Sequence, residues 1–367
     1  MKAWMNRFAL CAQVVLSVVT GALATSLCFV WLGDSSTNNA AACLTAGVLF
    51  MLALVVHELG HGVCARLLGM TVWAVNIAGL EFHAQRRGWK VRWSRGGRRQ
   101  LAGFVLAFPQ FGQPMRKQII GMCLGGPVGN MAFAILFGAV GWLWRQPMGS
   151  LSLAFSVMNA GFALINLVPH QGAIASDGLR LLTWLRGVDE AGPNLAYTRV
   201  MSRSLAGQTA NQLPEDELAS LEQQPTPMPL VALWYRLKAD QNRGDWPSAV
   251  SRSAQFNALT AALDPARRMM LTELVATLRT ELAFSEVMLT GDGTGLVDDL
   301  LPANAAWTSP WLLPRCQALC ASLRGDQERC ARLLEVSRRK AENAIDQALW
   351  QSETLLRGYV AATSGNS

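Results

Sequence analysis

Charge is scarce in this chain, and acidic charge is scarcest in its first half. Asp, Glu, Lys and Arg make up 16% of the 367 residues, against roughly 25% in a soluble globular domain. Hydrophobic residues make up 51%, which excludes a disordered chain and points to a membrane protein with a soluble appendage. Residues 1–189 hold only five of the 25 acids (Asp34, Glu58, Glu81, Asp177 and Asp189) but 15 of the 32 Lys and Arg, so this half carries +10 and the rest −3. Basic charge confined to an apolar half reads as loops beside an anionic membrane face, and nucleic acid is not expected as a partner. Histidine is scarce too, with four in the chain. Cysteine contributes little. Cys11, Cys28, Cys43, Cys64 and Cys123 fall mostly in apolar stretches and read as small packing residues, while Cys316, Cys320 and Cys330 lie in the tail. A reducing cytoplasm argues against a Cys316–Cys320 disulfide.

Long apolar runs are what the first half has instead. Four of them, 8–32, 40–68, 118–144 and 151–168, are long enough or nearly so to cross a bilayer, which takes about 20 helical residues. Lys2 and Arg7 before the first run, with Ala22-Leu23-Ala24 inside it, resemble a cleavable leader. The run continues through Val30-Trp31-Leu32, so an uncleaved helix is expected. The loop after the second run carries Arg86, Arg87, Lys90, Arg92, Arg95, Arg98, Arg99, Arg116 and Lys117, whereas 33–39 and 145–150 carry only Arg145. The positive-inside rule therefore places both termini in the cytoplasm, in an integral protein of a bacterial inner membrane.

Two of the four histidines stand in His57-Glu58-Leu59-Gly60-His61, at the end of the apolar run of 40–56. Residues four apart share a helix face, so both imidazoles can address one metal ion while Glu58 holds a water beside it. This is the pattern of zinc metalloproteases, in which the metal lowers the pKa of that water and the glutamate takes its proton. With so few histidines, a chance match is expected in about one of several hundred such chains. Ionisable groups in hydrocarbon are costly and mark function. A catalytic zinc keeps three protein ligands and one open position, so a third ligand is needed. Cys64 reads as packing and His83 as a surface or hairpin residue. His170, directly after Pro169, reads either as a solvated turn residue or as a group near the metal. In Asn166-Leu167-Val168-Pro169, followed by Ser176-Asp177-Gly178, Pro169 ends the fourth helix and Gly178 allows a tight turn. This element reads either as a fold-back that aims Asp177 at membrane depth or as an ordinary interfacial turn.

Together these residues resemble the site-2 protease family of intramembrane metalloproteases, in which an HExxH in one membrane helix joins an Asn-x-x-Pro and an Asp-Gly element in another. The matching residues are His57, Glu58, His61, Asn166, Pro169, Asp177 and Gly178, and Gly125-Gly126-Pro127-Val128-Gly129-Asn130 is similar to the family's small-residue segment. The interval between Pro169 and Asp177 is longer than in the commonest form of the motif. The resemblance covers about residues 40–185. It implies zinc held by His57, His61 and Asp177, Glu58 as general base, and Asn166 on the substrate carbonyl or the developing oxyanion. It also implies substrate contacts at Gly126, Asn130 and Asn166. Short strands are expected at 71–77 and 80–83, where the family presents a β edge to an extended peptide. The loop's arginines are expected on lipid head groups.

The fold class expected is therefore an α-helical membrane protein of about four transmembrane helices, with a short β element after the zinc helix and a soluble α-helical C-terminal domain. Residues 1–39 form a first helix and short outer loop, 40–189 the metalloprotease core, 190–228 a linker around one short helix begun by Pro214-Glu215, and 229–367 a cytoplasmic helical domain. Arg243-Gly244-Asp245-Trp246 and Arg324-Gly325-Asp326-Gln327 are similar inter-helix turns, which suit either a helical-hairpin array or an ordinary bundle. The expected substrate is a membrane-anchored protein or peptide, cut within or beside its transmembrane segment, and the tail offers a surface for a protein partner. Two other readings stand beside this one: a non-proteolytic anchor or transporter, and a protease that matures an exported small peptide.

Overall fold

In the computed structural model the described residues are 3–33, 36–93, 103–144, 146–172, 175–296 and 300–363; Asp34, Arg95, Arg98, Arg99 and Arg145 lie outside them. Contacts divide the chain into two units, 1–84 with 89–190, and 85–88 with 191–367.

The first unit holds four helices long and apolar enough to cross a membrane: α1 (Ala3–Leu32), α2 (Ser36–Leu67), α3 (Met115–Leu143) and α4 (Met148–Leu167). They follow the four apolar runs to within a few residues, and α1 passes unbroken through Ala22-Leu23-Ala24. α3 packs on α2 and α4, and α1 lies against α4 and α2. Small residues make these crossings, with Ala24, Cys28, Ala42, Ala53 and Ala154 fully buried, because close approach of backbones is the main source of attraction between helices in an apolar solvent. α2 and α3 touch at a glycine pair, where a Cβ on Gly60 would overlap the carbonyl of Gly125.

Between α2 and α3 stands an antiparallel sheet of order β3-β2-β1-β4, made of β1 (Thr71–Ile77), β2 (Leu80–Gln85), β3 (Gly88–Trp93) and β4 (Phe104–Phe108). Val72, Ala74 and Asn76 of β1 alternate inward, as a half-buried strand requires. Two strands were expected and four are present among the described residues. β3 was masked by its basic residues, and β4 is a short continuous apolar run bounded by Gly103 and Pro109. Arg92 Nε donates to Glu81 Oε2 at 2.6 Å across the β2–β3 pair. His83 lies on β2 opposite Ala74, as a hairpin residue. The unit closes with α5 (Asp177–Arg186).

The second unit is helical: α6 (Ala196–Leu205), α7 (Glu215–Glu222), α8 (Met228–Asn242), α9 (Trp246–Ala261), α10 (Pro265–Met270), α11 (Thr272–Thr290), α12 (Ala303–Thr308), α13 (Leu312–Leu323), α14 (Gln327–Glu342) and α15 (Gln347–Thr363). Residues 190–228 are not a linker. α6 and α7 bury Val200, Leu205, Leu218 and Leu221, apolar positions at helical spacing that the polar residues around them obscured. The two similar turns are alike in space as well. Gly244 and Gly325 take φ +68° and +73°, and Asp245 and Asp326 cap the next helices by accepting from Ser248 N and Arg329 N. At the centre of the unit Lys238, Glu281, Arg315 and Glu353, from four different helices, form a buried ionic cluster.

Candidate metal centre

His57 and His61 lie on one face of α2, six to ten residues before its end, which sets them roughly 9–15 Å inside the helix terminus. Their ring orientations are fixed by α3, which the Gly60–Gly125 contact brings close. Asn130 is fully buried. Its amide donates to Ala53 O at 3.0 Å and to Asn159 Oδ1 at 2.8 Å, so its Oδ1 accepts, and the partner at 2.6 Å is His57 Nδ1. His61 Nδ1 lies 2.6 Å from Met122 O, which can only accept. With Nδ1 of each ring set against an oxygen acceptor, the two Nε2 atoms turn toward the same point.

The third group comes from 120 residues away in sequence. α4 ends at Leu167 and Ser176 gathers the return: its Oγ donates to Val168 O at 2.8 Å and accepts from His170 N at 2.9 Å and Leu179 N at 3.2 Å. Asp177 is thus the first residue of α5, where the helix dipole favours a carboxylate. Gly178 is not a turn residue, as expected, but a helical one. A Cβ there would overlap Leu167 O, so only glycine lets α5 sit against the end of α4. Two side chains of α1 hold the same segment, with Gln13 donating to Ile165 O at 3.1 Å, and Asn6 donating to Gln171 O at 3.1 Å and accepting from Gln171 N at 2.7 Å.

Asp177 Oδ2 then lies 3.0 Å from His57 Nε2 and 3.2 Å from His61 Nε2, which are 3.2 Å apart. These are the ligand atoms of the cluster that could hold a metal ion. Three lone-pair atoms at these separations repel unless a cation stands among them. A single shared proton would satisfy one pair and leave the third atom facing them. A tetrahedron with zinc–ligand bonds of about 2.0–2.1 Å has edges of about 3.3 Å, close to the triangle seen here. Glu58 supplies a second sign of fit: it is buried and its Oε2 has no hydrogen-bond partner. Its carboxylate lies against Gly103, where any Cβ would collide with it. The donor set and the unsatisfied carboxylate therefore fit a small divalent cation with an activated water.

The three donors and Glu58 line a cavity of about 660 Å³ with Gln13, Phe50, Phe104–Ala107, Phe162, Asn166, His170 and Arg180. β4 flanks it. Neither a protein-family model, nor a curated protein, nor a solved structure matches this chain, so the site stands on its own geometry.

Of the residues expected to contact substrate, Asn166 lines the cavity, with its amide donating to Phe162 O at 3.0 Å and one hydrogen to spare. Gly126 lies against both imidazoles, where a Cβ would fall 2.5 Å from His61 Nε2. Asn130 does not face the cavity; every polar hydrogen of its amide is bound to protein, and its oxygen orients His57. Cys64 packs against Gly125 and is outside the donor cluster. Sequence reasoning missed Asn159, Ser176, Gly103, Gln13 and Asn6. The findable signal was a polar residue in an apolar run for Asn159 and Gln13, and a helix-capping serine for Ser176; Asn6, ahead of the first run, carried none. Gly103 carried none.

Removing the Asn130 support frees the His57 ring. On the reading of these donors as a zinc centre, Asn130→Ala is expected to weaken zinc binding by about 10–100-fold, as loss of an outer-shell partner does, measured by competition with a chromophoric chelator. An unchanged affinity would mean that the ring is held by packing alone.

Proposed function

We propose that this chain is an intramembrane zinc metalloprotease, an enzyme that hydrolyses a peptide bond within or next to the transmembrane segment of a membrane-anchored protein. The observation that carries the reading is the convergence of His57 Nε2, His61 Nε2 and Asp177 Oδ2 beside an unpartnered Glu58 carboxylate, with both histidines and Glu58 on a helix long and apolar enough to span a bilayer. The resemblance to the site-2 protease family, carried by the same residues, supports it.

His57, His61 and Asp177 would hold the ion beside the cavity that they line. When bound, zinc polarises a water molecule and the substrate carbonyl. Glu58 takes the proton of that water and passes it to the leaving amine, a role its missing hydrogen-bond partner leaves it free to perform. Asn166 offers its spare N–H to the oxygen on which negative charge develops. β4 is an edge strand among the described residues and its Phe104–Ala107 line the cavity, which supports addition of a partly unwound substrate segment to it through main-chain hydrogen bonds. The basic loop at 69–117 supports a reading with both termini in the cytoplasm of a bacterial inner membrane, where the helical tail would offer a surface for a partner. The product is a released cytoplasmic fragment or a matured exported peptide.

Cleavage of a membrane-tethered reporter, co-reconstituted with the protein and zinc, tests the reading. Glu58→Gln is expected to lower the rate by roughly 10²–10⁴-fold or more. A Glu58→Gln protein that cleaves as fast as the unsubstituted one would overturn it.

A further inference from the structure

α4 makes three polar side-chain contacts with α3, and one of them goes further than the other two. Ser152 Oγ donates to Phe137 O at 3.1 Å and Ser156 Oγ donates to Ala134 O at 2.6 Å. Both end on the backbone of α3, as contacts that only hold two helices together do. Asn159 meets a side chain instead. It is fully buried. Its Nδ2 donates to Phe155 O, one turn back on its own helix, at 2.9 Å, and its Oδ1 accepts from Asn130 Nδ2 at 2.8 Å. Asn130 Oδ1 in turn lies 2.6 Å from His57 Nδ1. A line of polar groups thus runs from α4 through α3 to a candidate ligand on α2. Phe155 O and Ala53 O, which can only accept, orient the two amides. Turning either amide round would set oxygen against oxygen, so the line has one polarity and presents an acceptor to the ring.

An amide in the apolar interior of a helix bundle is costly unless it is bonded, and within a span it marks function. Leucine has the same number and branching of side-chain heavy atoms and would fill the place without that cost. Among the described residues, the Asn159 side chain bonds only to its own helix and to Asn130. What it adds is therefore delivered to Asn130, and through Asn130 to the His57 ring. Its neighbours on the same helix face point the same way. Phe162, three residues on, lies against the His57 ring with centroids 6.1 Å apart, and Asn166, two turns on, lines the metal cavity. We propose that Asn159 is a positioning residue for His57: acting through Asn130, it holds the ring in the orientation that turns Nε2 to His61 and Asp177. This inference rests on the metalloprotease reading, in which those three donors hold zinc. One face of α4 then sets the ligand ring, through Asn159 and Phe162, and carries Asn166 to the substrate.

The test measures zinc affinity of the full-length protein in neutral detergent, by competition with a chromophoric chelator. The visible spectrum of the same proteins loaded with Co2+ reports the geometry of the donor set. Asn159→Leu is expected to bind zinc about tenfold more weakly, in the range for loss of an outer-shell partner, and to change the Co2+ spectrum. In an Asn130→Ala background the same substitution is expected to cost nothing further, because the line is already cut. Ser156→Ala removes a contact between the same two helices that does not lead to the ring, and its affinity and spectrum are expected to match those of the unsubstituted protein. Asn159→Ala takes the place of Asn159→Leu if the leucine methyls prevent folding. An unchanged affinity in the Asn159 variant would overturn the inference. So would an equal loss in Ser156→Ala or an additive loss in the double variant, either of which would make Asn159 a general support of the α3–α4 crossing. Any of these results with zinc-loaded unsubstituted protein defeats this inference alone, whereas folded unsubstituted protein that takes up no zinc defeats the metalloprotease reading as well.

Discussion

On the proposed zinc reading, Gly126→Ala is expected to lower zinc affinity by about 100-fold or more, a loss at the upper end of outer-shell substitutions or beyond it. The added methyl would stand 2.5 Å from His61 Nε2 and 2.7 Å from His57 Cε1, against the candidate ligand atoms themselves. His61 cannot swing clear without giving up its Nδ1 bond to Met122 O. Gly129→Ala is the control on the same helix. Its methyl would meet Gly60 Cα at 3.4 Å and Val56 O at 3.5 Å, ordinary contacts that α3 absorbs, so zinc binding should persist. Chelator competition on the two variants checks the pair of outcomes. Equal loss in both would mean that any added volume disturbs α3, and that Gly126 has no special relation to the metal.

The second large effect lies in the helical unit. Arg315 is fully buried, donates to Glu281 Oε2 and Glu353 Oε1 at 2.5 Å each and covers the Phe284 ring, with Cζ 4.3 Å from its centroid. Lys238 adds a bond to Glu281 Oε1 at 2.5 Å. Burial alone would raise the Glu281 carboxyl, but Arg315 and Lys238 outweigh it and hold its pKa below the usual carboxylate range. Arg315→Met leaves two buried carboxylates with one lysine, and breaking a buried pair in this way costs about 3–5 kcal/mol. Hydrogen exchange in α11, α13 and α15 of the full chain should rise accordingly. The pH dependence follows from the depressed carboxyl. Its contribution is fully present above the unfolded glutamate pKa of about 4.3 and is lost as pH falls toward and through the lower folded value. Acidification should therefore open this unit in the unsubstituted chain, and less so in Arg315→Met. Equal protection in both proteins at neutral pH would show that the cluster adds nothing to stability.

The long helices were legible because a span needs little more than an unbroken apolar run. His57, Glu58 and His61 were legible because their spacing is local to one helix. Asp177 was less so. Its place among the donors depends on Ser176 gathering three backbone groups and on Gly178 fitting under Leu167, neither of which sequence spacing reveals, and this is how an interval longer than the common motif still closes on the histidines. Asn130 was singled out but given the wrong task, since only the positions of Ala53 and Asn159 show that its amide is already fully bound. β3 was hidden by Lys90 and Arg92, and β4 by its brevity. The 190–228 segment was misread because capping and turn residues outnumber the few leucines and valines that α6 and α7 bury. Arg315 gave no sign at all: in a helix rich in Leu and Ala a lone arginine reads as solvent-facing, and its partners come from helices remote in sequence.

The most direct measurement is zinc content of the purified full-length protein and of His61→Ala, Asp177→Ala and Glu58→Gln. The account predicts one zinc per chain in the unsubstituted protein and in Glu58→Gln, and its loss in both ligand variants. A folded protein without zinc, or Asp177→Ala that retains it in full, would contradict the centre described above.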